Sequence, residues 1–359
     1  MKFCKTVITF LFFFGAVFSG FGQKKAQHPK KVIFMIGDGM GVAQIYAGLT
    51  ANKGHLNLEQ CTAIGFHKNQ SADNYITDSA AGATAFACGE KTYNGAIAVD
   101  VNKKILPTIL EIAEKNGLAT GLVATCSSTH ATPACFIAHE PSRSMDEAIA
   151  HDFLKTDIDV FIGGGRKFFS KREDGKNLID SLKARNYQIA NSIEEVEKIS
   201  KGKLAAFLAD EQQPKFSEGR GDQLVKSTET ALRILNQNPK GMFVMIEGSQ
   251  IDWGGHADDT QYIINEMLDF DNAIGKAIDF ARNDGTTLVI ITADHETGGF
   301  SLNGGDMKTG RVDGKFTTKD HTGVMIPVFA YGPGAEAFSG IYQNTDIFYK
   351  MMDALRLKK

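Results

Sequence analysis

Residues 75–89 read "YITDSAAGATAFACG", and Ser79 opens a run of small residues with high helix propensity. A serine there is either a helix N-cap or a nucleophile presented at a helix start. No histidine lies close in sequence to take its proton. A second set of reactive side chains recurs at the ends of apolar runs. Asp38 ends "VIFMIGD", Glu247 ends "MFVMIE", and Asp252 and His256 follow in "GSQIDWGGH". Asp294 and His295 end "TTLVIITADH", and His321 precedes the last apolar run, "VMIPVFAYGPG". All are oxygen or imidazole donors and none is a thiol. A mixture of Asp and His suits zinc, and an all-oxygen subset suits magnesium.

Taken singly, these residues have plainer readings. Asp38 in "GDGMG" fits a turn aspartate. His256 and His321 fit polar loop histidines, and Ser79 fits an N-cap. Together they would leave unpaired charge along one edge of a sheet, which costs several kcal/mol per buried ion unless a cation is present. A cation also offers Ser79 what no neighbouring histidine does, because it lowers the pKa of an adjacent oxygen acid by many units. A helix start adds backbone N–H groups and a positive helix end facing an incoming anion. Ala80, Ala81, Gly82 and Ala83 would let that helix pack close beneath the site.

These residues need a scaffold, and the chain supplies alternating apolar runs and amphipathic stretches. Strands are expected at Val32–Ile36, "LATGLVATC", "DVFIGGG", "MFVMIEG", "TTLVIITADH" and "VMIPVFAYGPG". Helices are expected over "ILPTILEIAEKNG", "MDEAIAHDFLK", "QLVKSTETALRILNQNPKG", Asp258–Arg282 and "TDIFYKMMDAL". Continuously apolar strands separated by helices imply an α/β fold, with a central mostly parallel sheet flanked by helices on both faces. Ligands gather at the carboxyl edge of such sheets, where the acids and histidines stand. The Gly-rich polar stretch Asn303–Asp320 is expected to be a small surface insertion.

Lys2 and Lys5, the 12-residue apolar stretch Val7–Phe18, and small residues at Ser19, Gly20 and Gly22 have the pattern of a secretory signal. Residues 1–22 are therefore set aside, and 23–359 are read as one catalytic domain, exported to a periplasmic or extracellular location. The rest of the chain has no apolar stretch long enough to span a membrane, so no stable membrane anchor is expected. The formal charge is −3 for the whole chain and −5 without the two signal lysines. With no basic run beyond Lys30–Lys31, a nucleic-acid surface is not expected. Four cysteines remain, Cys61, Cys88, Cys126 and Cys135, none at metal-site spacing. Export permits disulfides, although Cys88, in an apolar helix, reads as a buried thiol.

The segments "GDGMG", "YITDSAAGATA", "KTYNGAIAVD", "THATPACFIAHEPSR", "IEGSQIDWGGH", "TADHETGG" and "KDHTG" together resemble the alkaline phosphatases. They occur in that family's order from Gly37 to Gly323. The resemblance implies hydrolysis of small phosphate monoesters, with broad specificity, through a phosphoserine. It also implies two zinc ions, one magnesium and a homodimer. Ser79 would be the nucleophile, with Asp78 beside it. Asp252, His256 and His321 would hold the first zinc; Asp38, Asp294 and His295 would hold the second, next to Ser79. Asp38, Thr132 and Glu247 would hold magnesium, and Arg143 would clamp two phosphate oxygens. Two positions depart from the best-known bacterial pattern: His130 stands for an aspartate and Trp253 for a lysine. His130 would tilt the third site from magnesium towards zinc. The competing classes are a related metal-dependent phosphodiesterase or sulfatase and a non-catalytic phosphate binder. The Thr132, Glu247 and Arg143 set weighs against the first two.

Overall fold

In the computed structural model, Met1, Phe3 and residues 28–358 are described. The proposed signal, residues 1–22, falls almost wholly outside the described residues. Fourteen strands follow in chain order. They are β1 Lys31–Gly37, β2 Ala63–Lys68, β3 Ala119–Ser127, β4 Val160–Gly164, β5 Gln188–Ala190, β6 Leu204–Phe207 and β7 Met242–Gly248. Then come β8 Thr287–Thr292, β9 Glu296–Thr297, β10 Ser301–Asp306, β11 Arg311–Lys315, β12 His321–Thr322, β13 Ile326–Tyr331 and β14 Gly340–Gln343.

Ten of these strands form one sheet in the order β14-β2-β13-β8-β1-β7-β3-β4-β6-β5. All its pairings are parallel except those of β13, which runs against both β2 and β8. The expected mostly parallel sheet is observed, with one reversed strand that positions the site.

Strand β1 shows why the central strands are apolar throughout. Val32, Phe34 and Ile36 join one core layer with Phe86, Phe136 and Phe243. Ile33 and Met35 join the opposite layer with Ile263, Met267 and Phe270. Side chains alternate across a strand, so a strand covered on both faces must be apolar at every position. The helix Thr260–Asp284 covers the second face, with Asp259 capping its start through Gln261 and Tyr262 N–H groups.

The expected helices form with shifted ends. The helix in "ILPTILEIAEKNG" runs only over Ile109–Lys115, because Thr108 and Glu111 close a capping box after Pro107. The stretch expected as a surface insertion, Asn303–Asp320, holds most of the β10–β11 hairpin, which begins two residues earlier at Ser301, and lies on the surface. Shorter elements escaped the sequence reading, notably β2, β5, β6, β14 and the helices Leu178–Ala184 and Ile193–Lys198. Cys61, Cys126 and Cys135 are free thiols. Among the described residues no helix is long and apolar enough to cross a membrane.

Candidate active site

The site lies where parallel strands end. In register, Ile36 of β1 stands beside Glu247 of β7 and Thr292 of β8. Asp38, Glu247 and Asp294 are thereby brought to one edge, each fully buried. Because β13 is reversed, its beginning falls at this same edge. His321, in β12 just before it, is delivered to the site from the far end of the chain.

Ser79 is the first residue of the buried helix Ser79–Cys88, but it does not cap it. The cap is Asp78, whose Oδ1 accepts from Ala81 N at 2.9 Å. The N-cap reading of Ser79 is thus replaced, and its hydroxyl is left for the site, where it lies 3.3 Å from His295 Nε2. The small residues of that helix allow a close approach: a Cβ at Gly82 would stand 3.0 Å from Asp294 Cβ. Gly39 in "GDGMG" does similar work for Asp38. Its φ is +73°, and an added Cβ would lie 2.6 Å from Asp252 Cα.

Two groups of donors emerge, with the membership that the resemblance implied. Asp252, His256 and His321 offer ligand atoms within 4.8 Å of one another, and so do Asp38, Asp294 and His295. In the first group, Asp252 Oδ1 is 3.3 Å from His256 Nε2 and 3.5 Å from His321 Nε2. In the second, His295 Nε2 is 3.5 Å from Asp38 Oδ1 and 3.3 Å from Asp294 Oδ2. The His295 and His321 rings stack 3.5 Å apart and join the groups. The first group opens to solvent through His256, whereas the second is sealed.

Backbone contacts orient the outer histidines. His321 Nδ1 meets Thr77 O at 2.9 Å, and His256 Nδ1 meets Lys319 O. A carbonyl only accepts, so each Nδ1 carries a proton and each Nε2 can face a cation. Thr297 bonds Asp252 and also sits 3.3 Å from His295 Nδ1. Sequence reasoning did not single out Thr77, Thr297 or Lys319, because two of them act through a main-chain oxygen that any residue supplies.

The third group differs from expectation. Thr132 Oγ1 donates to Asp38 Oδ2 at 3.4 Å, and Glu247 lies nearby, as the resemblance implied. A thiol is also present, contrary to the reading of an edge without sulfur. Cys126 donates to Glu247 Oε2 at 3.4 Å, and Cys126, His130 and Glu247 also form a set within 4.8 Å. The strand containing Cys126 was legible, but only acids and histidines were weighed at its end. His139, in the same motif, belongs elsewhere; it pairs with Glu111.

Electrostatics point to bound positive charge. Burial raises Asp38 well above the usual carboxylate range, reinforced by Asp294, Asp252 and Glu247. Burial pushes Glu247 up to about 8 and Asp294 to about 6. Burial opposes ionisation of Asp252 too, but hydrogen bonds from His256 and His321 outweigh it and hold its pKa low. Asp38 Oδ1, Asp294 Oδ2 and Glu247 Oε1 are buried without hydrogen-bond partners. Such orphaned carboxylate oxygens fit divalent cations. Arg143 stands at the rim, 3.0 Å from Asp78 Oδ2 and 3.3 Å from His130 Nε2. His130 in turn packs edge-on against Trp253, with ring centroids 6.2 Å apart.

The chain is similar to known proteins in sequence and in fold. The family profile described as "Alkaline phosphatase" matches residues 29–315 and 305–357. Alkaline phosphatase 3 of Bacillus subtilis is 35% identical, over 91% of this chain and 89% of its own. The Escherichia coli alkaline phosphatase is 34% identical, over 92% and 86%. The solved alkaline phosphatase of the Antarctic bacterium TAB5 superposes with a TM-score of 0.88 at 43% identity, covering 93% of this chain and 100% of that one. A variant of that structure, with a histidine replaced by aspartate, is described with magnesium bound in its M3 site. With fold and sequence both matching over nearly the whole described chain, this protein belongs to the alkaline phosphatase family and is a phosphatase.

Proposed function

We propose that the chain hydrolyses small phosphate monoesters, with broad specificity, through a phosphoserine on Ser79. The observation that carries this reading is the uncapped Ser79 hydroxyl beside His295, within a buried cluster of orphaned carboxylate oxygens. Asp252, His256 and His321 would hold one zinc, and Asp38, Asp294 and His295 a second. Asp38, Thr132 and Glu247 would hold magnesium, with His130 tilting that site towards zinc. When bound, these cations neutralise phosphoryl charge and make oxygen acids beside them easier to deprotonate.

The chain's own groups do the rest. Arg143 is a planar, permanently charged donor that can bind two phosphoryl oxygens at once. The buried start of the Ser79 helix adds backbone N–H groups facing the same anion. Ser79 Oγ bonds to phosphorus as the bond to the ester oxygen breaks. Water then attacks the phosphoserine, the Oγ–P bond breaks, and inorganic phosphate leaves. The leaving group departs towards His256, on the solvent-facing side, where few side chains would select it. Phosphoryl transfer relies mainly on positioning and charge neutralisation, as this site provides.

Residues 1–22 would act as an export signal before a catalytic domain at 23–359. The family resemblance implies a homodimer, and the exposed Ile64 on β2 and Ile341 on the edge strand β14 offer apolar surface at one side of the sheet. The decisive test pairs acid trapping of labelled phosphate on Ser79 with turnover of an aryl monoester, its methyl diester and the aryl sulfate. Ser79→Ala should lose activity by several orders of magnitude while retaining metal. Retention of more than roughly a tenth of kcat would exclude the covalent route.

A further inference from the structure

Cys126 is fully buried at the end of β3. Ala124 is the register partner of Glu247, and Cys126 lies two residues further along the same face. That diagonal placement brings its Sγ 3.4 Å from Glu247 Oε2. Its Sγ also lies 3.3 Å from Ser127 O and interacts with the Ser249 side chain. Two further buried polar atoms in this set have no hydrogen-bond partner, Glu247 Oε1 and His130 Nδ1; because His130 Nε2 faces the Arg143 guanidinium, ligation through Nδ1 requires the ring proton to move to Nε2 and that contact to open. The ligand atoms of Cys126, His130 and Glu247 lie within 4.8 Å of one another. Donors bonded to one tetrahedral zinc at about 2.0–2.3 Å stand about 3.3–3.8 Å apart, so the set would contract by up to about 1 Å on binding.

We propose that Cys126 is a thiolate ligand of the third cation site and makes that site selective for a soft or borderline divalent cation over magnesium. This rests on the reading of Asp38, Thr132 and Glu247 as a cation site. It goes beyond the effect of His130, because imidazole alone adds a borderline donor whereas a thiolate adds a soft one. Magnesium demands near-octahedral oxygen ligation and sheds water reluctantly. A set of thiolate, imidazole and carboxylate suits four-coordinate zinc or cobalt instead. Coordination replaces the S–H bond by a metal–sulfur bond and releases one proton to solvent. Glu247, which accepts from the thiol in the metal-free site, would then turn its oxygens to the cation. Neither Cys61 nor Cys135 belongs to a donor set of this kind.

The test is spectroscopic and independent of turnover. The metal-stripped full chain is titrated with cobalt(II), and bound cobalt and near-ultraviolet thiolate-to-cobalt charge-transfer absorption are followed together. The expected result is about three cobalt ions per chain, with the charge-transfer band growing only as the third site fills. Cys126→Ser should abolish the band and lower the preference for zinc over magnesium at that site by at least about tenfold, and Cys126→Ala should do the same. Trp253 is the only tryptophan in the chain, and its contact with His130 gives a second signal for filling of the site. Third-site binding with no band in the wild-type chain overturns the cysteine assignment and leaves the site itself standing. Failure to bind a third cation at all overturns both. A band that survives in both Cys126 variants assigns the sulfur elsewhere and overturns the proposal.

Discussion

Asp78 joins two parts of the site with one carboxylate. Its Oδ1 caps the Ser79 helix through Ala81 N at 2.9 Å, and its Oδ2 holds Arg143 Nη1 at 3.0 Å. The candidate nucleophile and the candidate phosphate clamp are therefore set relative to each other by a single residue. Asp78→Ala should cost about 1 kcal/mol of stability from the lost cap. It should also free Arg143, so that inhibition by inorganic phosphate weakens. Thermal melting and a phosphate-inhibition series check both; unchanged inhibition would mean that Arg143 is held by something else.

Arg143→Ala should reduce monoester hydrolysis by at least about tenfold, and more than it reduces diester hydrolysis. A diester offers one fewer charged oxygen to the guanidinium. Parallel kcat/KM measurements on the two substrates decide this, and equal losses would remove the clamp role.

The family resemblance puts Trp253 where a phosphate-attracting lysine would add a cation. Product affinity should be modest, and Trp253→Lys should tighten phosphate inhibition. Excess zinc should inhibit and added magnesium restore activity slowly, and His130→Asp should remove that slow phase. Phosphate should also change the emission of this lone tryptophan. Equal phosphate affinity in the wild type and Trp253→Lys, together with unchanged emission, would leave Trp253 with packing alone.

Metal removal should destabilise the fold in a pH-dependent way. In the cation-free site Glu247 is raised from 4.5 to about 8 and Asp294 from 3.8 to about 6, mainly by burial. The folded chain then holds protons that the unfolded chain has already released, so apo stability falls as pH rises through these windows. His256, raised to about 9 chiefly by its hydrogen bond to Asp252, must also lose its proton before ligation. The holo-minus-apo difference in Tm should therefore widen from about pH 5 to about pH 9. Calorimetry of matched samples across that range checks it, and a constant difference would argue against ligation by these groups.

His139 and Glu111 predict a separate dependence, away from the metals. The two nitrogens of His139 face Ala98 O and Glu111 Oε1, each at 3.1 Å, so the ring is suited to carrying both protons. Burial opposes charge on either partner, but their mutual hydrogen bond outweighs it, raising His139 and lowering Glu111. The Glu111 contribution is complete above 4.5 and lost as pH falls through its lowered folded value. The His139 contribution is complete below 6.5 and lost as pH rises through its raised folded value. The pair should stabilise most between these limits, and His139→Gln should flatten the decline above 6.5 in a Tm–pH series.

The strands and main helices were legible because their signals are local. Continuous apolar runs such as Val32–Ile36 mark two-sided burial, and 3.6-residue patterns mark helices that cover them. The acids and histidines of the donor edge were legible because they ended or flanked those runs, whereas their division into two groups came from the family resemblance. Other features depended on pairing between distant segments. Reversal of β13, which delivers His321, comes from its pairing with β2 and β8 and leaves no mark in its own composition. Strands β5 and β14 are too brief to show a period, and β2, although its burial alternates, turns Ala63, Gly65 and His67 inward and Ile64 outward, so its composition does not mark the buried face. Asp78 rather than Ser79 proved to be the cap, because adjacent residues both suit that role and only backbone geometry chooses between them. Cys126 became a candidate ligand only once β3 lay beside β7 and placed its sulfur against Glu247, since cysteine in an apolar strand otherwise reads as core.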